Sequence, residues 1–232
     1  MTMVNKEIEV IFFDIDDTLL NSSESQYKAI IEFKKNIKMF ENISDSEFAK
    51  IWNKVTFEQY EKYAKREVSF EEHRINRMKN LFYNFNVNIS DNEAEKFFKI
   101  FMKLNEKCWM LFDDTLEVIK KLNKKYILAV ITNGDGIQQR KKLRKMKIEK
   151  YFREIIVSKE VEVSKPDERI FKIACNKLNV QSKKCVMCGD QYKTDIIGAI
   201  NSGIQAIWLN RKNEIIEYDY QIKNLKEILE IL

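Results

Sequence analysis

Between residues 21 and 112, the apolar residues recur at helical spacing. Positions three and four apart lie on one face of a helix, so each such series indicates an amphipathic helix. Serine followed three residues later by glutamate, a pair that caps helix starts, precedes several of these series. We predict a bundle of about four helices here. The serine–glutamate pairs are Ser44 with Glu47, Ser69 with Glu72 and Ser90 with Glu93, and the clearest apolar series is Phe48, Ile51, Trp52 and Val55.

Outside this block, short apolar runs alternate with helical segments. Short runs of apolar residues indicate buried strands. Their alternation with helices is typical of a parallel sheet, so we predict an α/β fold with a Rossmann-like sheet and helices on both faces. The predicted strands are 8–13, 126–131, 154–157, 184–188 and 205–209, and the predicted helices of this part are 115–123, 138–147, 167–178 and 194–201.

The first predicted strand precedes the helical block, and the other strands follow it. The helical block is therefore an insertion into the α/β domain. We predict a core made of residues 1–20 and 113–232, with an inserted all-helical domain of residues 21–112.

Composition agrees with this boundary, because all five glycines and the single proline lie between residues 134 and 203. Glycine and proline destabilise helix interiors, whereas turns between strands and helices often require them. No apolar run approaches the roughly 18 residues of a membrane helix, and the first residues lack the pattern of a signal peptide. We expect a soluble cytoplasmic protein, a monomer or a homodimer, with no membrane partner.

The chain contains one histidine, His73, which leaves no room for a His-rich zinc site or a His-supported serine triad. Any hydrolysis must therefore rely on carboxylates. The net charge of +5 is mild, and the basic stretch 140–147 has no interleaved aromatic residues. We interpret that stretch as a solvated helix face, and we expect no nucleic acid polymer as a partner.

Polar residues gather directly after the predicted strands, at the edge where open parallel sheets bind ligands. Asp14 and Asp16 follow the first strand, and two carboxylates so spaced suit a nucleophile and its acid/base partner, although turn or cap roles would also explain them. Thr132, Asn133 and Gly134 follow the second strand. A hydroxyl and backbone amides ahead of a helix suit an anion, but helix capping explains them about as well.

Two further groups follow the later strands. Lys165 stands before Pro166 at a predicted helix start, where a cation opposes the helix dipole, so we expect its ammonium to serve a bound anion. Asp190 ends the fourth strand, and Asp195 lies five residues later. Each acid could be a cap, and the functional interpretation is a site for a hard cation with oxygen ligands.

These residues resemble the four signature motifs of the haloacid dehalogenase superfamily: Asp14, Asp16 and Thr18; then Thr132; then Lys165; then Gly189, Asp190 and Asp195. Each motif is a weak or moderate signal, but their order and their positions after strands are specific. The all-helical insertion resembles the type I cap of that superfamily. The core is similar to the branch that holds pyrimidine 5′-nucleotidases and N-acylneuraminate-9-phosphatase.

The resemblance implies a phosphatase of small phosphomonoesters, such as a nucleoside 5′-monophosphate or a sugar phosphate. In this interpretation Asp14 attacks phosphorus and forms an aspartyl-phosphate, while Asp16 protonates the leaving oxygen and then activates water. Dehalogenases of the superfamily lack the second acid, so Asp16 favours phosphoryl transfer. We expect the pKa of Asp16 to rise above its ordinary value, because carboxylates surround it.

The resemblance also implies Mg²⁺ as cofactor, bound by Asp14, Asp190 and the backbone carbonyl of Asp16, with Asp195 orienting the site or binding through water. The phosphoryl oxygens would be held on the opposite side. The phosphate-binding residues would be Thr132, Asn133, Gly134 and Lys165, of which Lys165 also counts as catalytic.

The inserted domain is expected to select the substrate. Its polar candidates include Arg74 and Arg77 on one predicted helix, and we hypothesise that one arginine binds a substrate group. A solvated helix face is the alternative interpretation. Two other functions stay open: a phosphomutase of the same superfamily, which keeps the same four motifs, and a non-catalytic binding protein on this fold.

Overall fold

The chain forms two compact units in the computed structural model, which describes residues 7–65 and 67–232. The first, called here the core unit, combines Met1–Ser22 with Met110–Leu232, and the second, the helical unit, is Ser23–Trp109. The sequence placed the boundaries after residue 20 and before residue 113. The first six residues of that predicted core segment lie outside the described residues.

A parallel sheet is the centre of the core unit. The five strands predicted from apolar runs are present, and a two-residue strand at the sheet edge was not predicted. The strands are β1 (Val10–Phe13), β2 (Ile127–Thr132), β3 (Glu154–Val157), β4 (Cys185–Gly189), β5 (Gln205–Leu209) and β6 (Gln221–Ile222).

The strand order is β3-β2-β1-β4-β5-β6, so β1 lies between β2 and β4. Phe13, the last residue of β1, is level with Val130 of β2 and Cys188 of β4. The carboxyl ends of these three strands therefore lie side by side. The prediction of a Rossmann-like α/β fold with an inserted all-helical part is confirmed.

Ten helices are present in the described part of the chain, and a π-helical turn, Tyr192–Ile197, takes the place of the first half of the helix predicted at 194–201. None of them is both long and apolar enough to cross a membrane. The helices are α1 (Ser22–Lys35), α2 (Asp45–Ala64), α3 (Phe70–Tyr83), α4 (Asp91–Cys108), α5 (Thr115–Leu122), α6 (Gly136–Lys145), α7 (Ser158–Val161), α8 (Glu168–Leu178), α9 (Gly198–Asn201) and α10 (Ile228–Ile231).

The start of α8 differs from the prediction. Its N-cap is Asp167, whose side chain accepts a hydrogen bond from the backbone of Arg169. Lys165 and Pro166 therefore precede the helix and do not form its first turn. Because Lys165 lies outside α8, its ammonium does not oppose the helix dipole from within the helix. The carboxylate of the N-cap, Asp167, complements that dipole.

Close packing brings the segment before α8 against the segment after β4. A Cβ atom on Gly198 would lie 3.0 Å from Cα of Pro166 and 2.9 Å from the ring of Phe171 in α8. Only glycine allows this approach without a shift of its neighbours. The same side of the sheet contributes Val10 and Phe12 of β1 to the apolar cluster that contains Phe171.

The helical unit has a core of its own, rich in aromatic residues. Trp52 of α2 packs on Phe101 of α4 with ring centroids 4.4 Å apart. The predicted capping boxes are complete at Ser69 and Ser90, whereas at Ser44 the side chain accepts from the backbone N–H of Glu47 without the reciprocal bond. The prediction of four helices is confirmed for the described residues.

The chain segments that lead into and out of the helical unit are paired with each other. Leu20 forms an antiparallel bridge with Leu111, the backbone N–H of Asn21 donates to the carbonyl of Met110 at 3.0 Å, and that of Phe112 donates to Leu19 at 3.2 Å. All of these residues belong to the core unit. The insertion therefore leaves and rejoins the core unit at one place.

Candidate active site

Lys165 lies between two buried carboxylates at the carboxyl edge of the sheet. Its Nζ is 2.6 Å from Oδ1 of Asp14, directly after β1, and 2.7 Å from Oδ1 of Asp195 in the π-helical turn. The side chain of Lys165 is 2% exposed. Burial alone would lower the pKa of Lys165, but the two carboxylates raise it above its ordinary value, so the ammonium stays charged.

Asp195 is held in place by the backbone around it. Its Oδ2 accepts a hydrogen bond from the backbone N–H of Gln191 at 3.0 Å. A Cβ atom on Gly189 would lie 2.2 Å from the same oxygen, so this position requires glycine. Both oxygens of Asp195 therefore have protein partners, which suits the orienting role that the sequence predicts for it.

Asp190 directly follows β4, and its backbone is held in place by a hydrogen bond to the loop after β1. Its backbone N–H donates to Oγ1 of Thr18 at 3.0 Å, and its carbonyl accepts from Nε1 of Trp208 at 2.9 Å. Thr18 thus ties the loop after β1 to Asp190, whose carboxylate lies beside that of Asp14.

Three of the predicted acids form a group that fits a divalent cation. One carboxylate oxygen from each of Asp14, Asp190 and Asp195 lies within 4.8 Å of the others. Burial, followed by the repulsion of Asp14 and Asp195, raises the pKa of Asp190 to about 8. Burial and the neighbouring carboxylates also raise the pKa of Asp14, against the opposing effect of Lys165. Lys165, together with the exposed Lys212 at 3.9 Å from Asp190, does not balance three carboxylates, and hard oxygen ligands of this kind are those that Mg²⁺ prefers.

Asp16 has contacts different from those of Asp14, Asp190 and Asp195. Its carboxylate accepts from Nζ of Lys142 at 2.5 and 2.8 Å, from Nε2 of Gln139 at 2.8 Å, and from the hydroxyl of Ser22. Burial raises the pKa of Asp16, but Lys142, Ser22 and Gln139 together lower it. The expectation of a raised pKa is therefore wrong, because the neighbours that matter are donors and not carboxylates.

The basic stretch 140–147 is only partly a solvated helix face. Lys142 and Leu143 are buried, whereas Lys141 and Lys145 are exposed. The interpretation as a solvated face is wrong for Lys142, since residues 139 and 142 share one side of α6 and that side points to Asp16. Sequence reasoning missed Gln139, Lys142 and Ser22 as site residues.

Thr132, the last residue of β2, and Asn133 and Gly134, which follow it, lie near the site but bond to other parts of the protein. The side chain of Asn133 exchanges two hydrogen bonds with the backbone of Lys165, at 2.8 and 3.0 Å. The hydroxyl of Thr132 accepts from Gln139 at 3.0 Å, and the backbone N–H of Gly134 donates to Oγ of Ser158 at 2.9 Å. Asn133 thus holds Lys165 in place, with both polar ends of its amide used.

Arg74 and Arg77 lie on α3, in the helical unit. The guanidinium of Arg74 lies 3.9 Å from the ring centre of Phe70, and that of Arg77 lies 5.1 Å from the ring centre of Trp52. Within residues 7–65 and 67–232, Arg77 has no ion-pair partner, and its Nε has no hydrogen-bond partner. Burial, together with the charge of Arg74, lowers the pKa of Arg77 to about 10.

Carboxylates and a lysine at the carboxyl edge of a parallel sheet define an α/β enzyme whose chemistry rests on acids. Residues 11–209 match the haloacid dehalogenase-like hydrolases, and the chain belongs to that family. It is a hydrolase, and the membership predicted from the four motifs is confirmed.

Individual relatives narrow the class. The chain is 27% identical to human N-acylneuraminate-9-phosphatase over 90% of its length and 85% of the relative. It is 32% identical to the pyrimidine 5′-nucleotidase YjjG of Escherichia coli over 45% of its length and 49% of the relative. These similarities match the predicted branch and support the predicted enzyme class, hydrolases of phosphoric monoesters.

A solved structure shares the fold over nearly the whole chain. The magnesium-bound crystal structure of YfnB from Bacillus subtilis superposes with a TM-score of 0.82, covering 97% of this chain and 99% of that one, at 20% sequence identity. At this identity the similarity concerns the fold.

Proposed function

We propose that the protein hydrolyses a small phosphomonoester in two steps through an aspartyl-phosphate on Asp14. The observation that carries this proposal is the buried contact of Lys165 with both Asp14 and Asp195, beside a second acid that lies two residues after Asp14. A carboxylate held by an ammonium at a ligand-binding edge is suited to nucleophilic attack on an anion, because the positive charge offsets the repulsion.

In the first step an oxygen of Asp14 bonds to phosphorus, and the bond from phosphorus to the ester oxygen breaks. The departing oxygen takes a proton from the carboxyl of Asp16, whose pKa the negative charge of the bound phosphoryl group would raise from its lowered position in this structure. In the second step Asp16 removes a proton from water as the water oxygen attacks phosphorus, and the bond between phosphorus and Asp14 breaks. Inorganic phosphate leaves, and both aspartates return to their starting forms.

Mg²⁺ is the proposed cofactor. Asp14 and Asp190 would hold it directly, with the backbone carbonyl of Asp16, and Asp195 would orient Lys165 and the π-helical turn. When bound, the ion supplies positive charge to the phosphoryl oxygens. The magnesium in YfnB and the oxygen ligands of this site support the proposal.

The phosphoryl group would rest between Lys165 and the turn after β2. Lys165 offers its ammonium, and Thr132 offers its hydroxyl. Asn133 supports this arrangement through the backbone of Lys165, and Gly134 keeps the turn open at φ +130°. The substrate is proposed to be a sugar phosphate or a nucleoside 5′-monophosphate, in line with the two relatives.

Replacement of the nucleophile is the test. Asp14→Asn should lower the rate of phosphate release from p-nitrophenyl phosphate at least about 1,000-fold, because an amide cannot form the acyl phosphate. Chelation of divalent cations should also abolish the activity of the unmodified protein, and added Mg²⁺ should restore it.

Asp17→Asn serves as the matched control, since Asp17 lies beside the site residues without a part in the proposed chemistry. Equal rates for Asp14→Asn and the unmodified protein would remove the proposal. Conversion of a hexose phosphate into its isomer, without release of phosphate, would replace the phosphatase with a phosphomutase.

A further inference from the structure

The interior of the helical unit contains buried polar atoms for which the described residues supply no hydrogen-bond partner. Among them are Nε1 of Trp52 and Oε1 of Gln59 on α2, Nε of Arg77 on α3 and Oδ1 of Asn105 on α4. Gln59 is 2% exposed and Asn105 is 9% exposed. Buried polar groups are almost always hydrogen-bonded, so several such atoms in one unit point to a ligand that pairs with them.

The positions of these residues on α2 and α3 bring them together. Trp52 and Gln59 are seven residues apart and therefore lie on one face of α2. The guanidinium carbon of Arg77 lies 5.1 Å from the ring centre of Trp52. Tyr63, four residues beyond Gln59, packs on His73 of α3 with ring centroids 5.2 Å apart. Gln59 therefore lies beside the stretch of α3 from His73 to Arg77.

Asn105 reaches the same stretch from α4. The guanidinium carbon of Arg77 lies 5.6 Å from the ring centre of Phe101. Earlier on α4, Phe97 packs on Phe82 of α3 with ring centroids 4.5 Å apart. The two helices therefore run antiparallel, and Asn105, one turn beyond Phe101 on the same face, lies level with the residues that precede Arg77.

Arg77 contributes a positive charge to this set. Within residues 7–65 and 67–232 no acid pairs with it, and the neighbour whose charge lowers its pKa is another cation, Arg74. The aromatic rings attract the guanidinium but leave Nε without an acceptor. A guanidinium forms its strongest pairs with planar oxyanions, through two parallel N–H bonds, so this setting fits an anionic ligand group.

The neutral members of the set indicate the rest of the ligand. The amide oxygens of Gln59 and Asn105 accept hydrogen bonds, whereas Nε1 of Trp52 donates. Hydroxyl groups can do both, so a chain that carries hydroxyls beside its anionic group matches all three. A carboxylate has one negative charge and is planar, so it complements the single guanidinium of Arg77 more closely than a phosphate dianion does.

We propose that the substrate is a phosphorylated hydroxy acid, whose carboxylate pairs with Arg77 and whose hydroxyl groups donate to Gln59 and Asn105. This inference rests on the proposed function and names the substrate class for it. Contacts with groups that do not react supply binding energy that a neutral sugar phosphate or p-nitrophenyl phosphate cannot use in full.

Pairs of phosphomonoesters that differ only in a carboxylate test this class. 6-Phosphogluconate and sorbitol 6-phosphate differ in one terminal group, as do 3-phosphoglycerate and the glycerol phosphate of matching configuration. The unmodified protein should hydrolyse at least one of the two acids with kcat/KM about 10- to 100-fold above that for its alcohol, the size expected of hydrogen bonds between charged groups. This measurement requires no variant.

Variants then assign the preference to residues. Arg77→Met should reduce it to within about 3-fold by slowing the acid alone, and Arg77→Lys should keep part of it. Gln59→Leu should lower kcat/KM for the acid and the alcohol alike, by about 3- to 10-fold, because both carry the hydroxyl groups. Lys54→Met, which removes an exposed charge from α2, is the matched control and should change neither value.

A preference below about 3-fold for both acids, a preference that Arg77→Met preserves, or equal losses for acid and alcohol in Arg77→Met would overturn the inference while p-nitrophenyl phosphate is still hydrolysed. A preference for fructose 1,6-bisphosphate over fructose 6-phosphate, with none for the acids, would also overturn it, because the second group would then be a phosphate. Failure of the unmodified protein to release phosphate from any of these esters, p-nitrophenyl phosphate included, would instead overturn the proposed function.

Discussion

Arg77 is a charged residue in an unusual setting. It is enclosed by aromatic rings of the helical unit, with Trp52 and Phe98 both near 5 Å from its guanidinium carbon. The helices that carry these rings, α2 and α4, also hold buried polar atoms with no hydrogen-bond partner among the described residues, among them Oε1 of Gln59 and Oδ1 of Asn105. Groups of this kind destabilise a fold unless something pairs with them, which supports the hypothesis that Arg77 binds an anionic group of the substrate.

Arg77→Met is expected to have opposite effects on stability and substrate binding. Stability should increase, because the charge of a half-buried guanidinium that has no ion-pair partner among the described residues is removed and a similar volume is kept. KM should rise about 10-fold for the phosphomonoester that the protein hydrolyses best, with p-nitrophenyl phosphate unaffected. Thermal unfolding and a panel of sugar, nucleotide and phospho-acid substrates would measure both.

Arg74→Met is the matched control, since the guanidinium of Arg74 lies on the ring of Phe70 at the same helix. If KM stays unchanged for every substrate of the panel in Arg77→Met, Arg77 has no part in specificity.

At the scale of elements, α6 shows why part of the site could be read from the sequence and part could not. Asp14 and Asp190 follow buried strands, and strand ends are visible as the points where apolar runs stop. Lys142 lies in a basic stretch, and which side of that helix is buried depends on where α6 packs. Local spacing contains no information about that packing, so Lys142 and Gln139 were missed.

The same limit explains the other differences. β6 has two residues, Gln221 and Ile222, and among the described residues it pairs with β5 alone. A strand this short contains no apolar run by which the sequence could predict it. Pro166 was expected in the first turn of the helix predicted at 167–178, from a preference of proline, whereas Asp167 is the N-cap of α8 and Pro166 precedes it. The presence of glycine beside a site residue has a steric cause at Gly189, where a Cβ atom would collide with the carboxylate of Asp195.

The helix caps of the helical unit give a prediction of graded stability. Ser69→Ala removes the acceptor of a complete capping box, and we expect it to lower the free energy of unfolding of this unit by about 1 kcal/mol. Ser44→Ala removes a single bond and should cost less. Urea unfolding followed by helical circular dichroism measures the difference, and a larger loss for Ser44→Ala would contradict it.

At the scale of the whole molecule, the buried acids should make stability depend on pH when divalent cations are absent. Burial raises the pKa values of Asp190, to about 8, and of Asp14. The unfolded chain then binds fewer protons than the folded chain between the ordinary aspartate pKa and about 8, so stability falls as the pH rises through this window. The melting temperature of the metal-free protein should be lower at about pH 8.5 than at about pH 6.5.

The lower pH is chosen because of His73. Burial and the nearby arginines lower the pKa of His73 to about 4, so its opposite contribution to stability grows as the pH rises from about 4 and is mostly present by about pH 6.5. Asp190→Asn should reduce the fall in melting temperature between the two pH values. Added Mg²⁺ should raise the melting temperature of the unmodified protein, and most at the higher pH. A melting temperature that is insensitive to both pH and Mg²⁺ would show that these carboxylates do not form a cation site.

The bridge between Leu20 and Leu111 has a consequence for how such a protein can change over evolution. Because both residues belong to the core unit, the bridge holds the two ends of the inserted segment together regardless of the length of that segment. The entropy of closing a loop grows only slowly with its length, so one insert can be exchanged for another without disturbing the sheet. Under the proposed division of roles, in which the helical unit selects the substrate, a lineage of this fold can acquire new substrates by replacing that unit while the proposed site in the core unit is inherited unchanged.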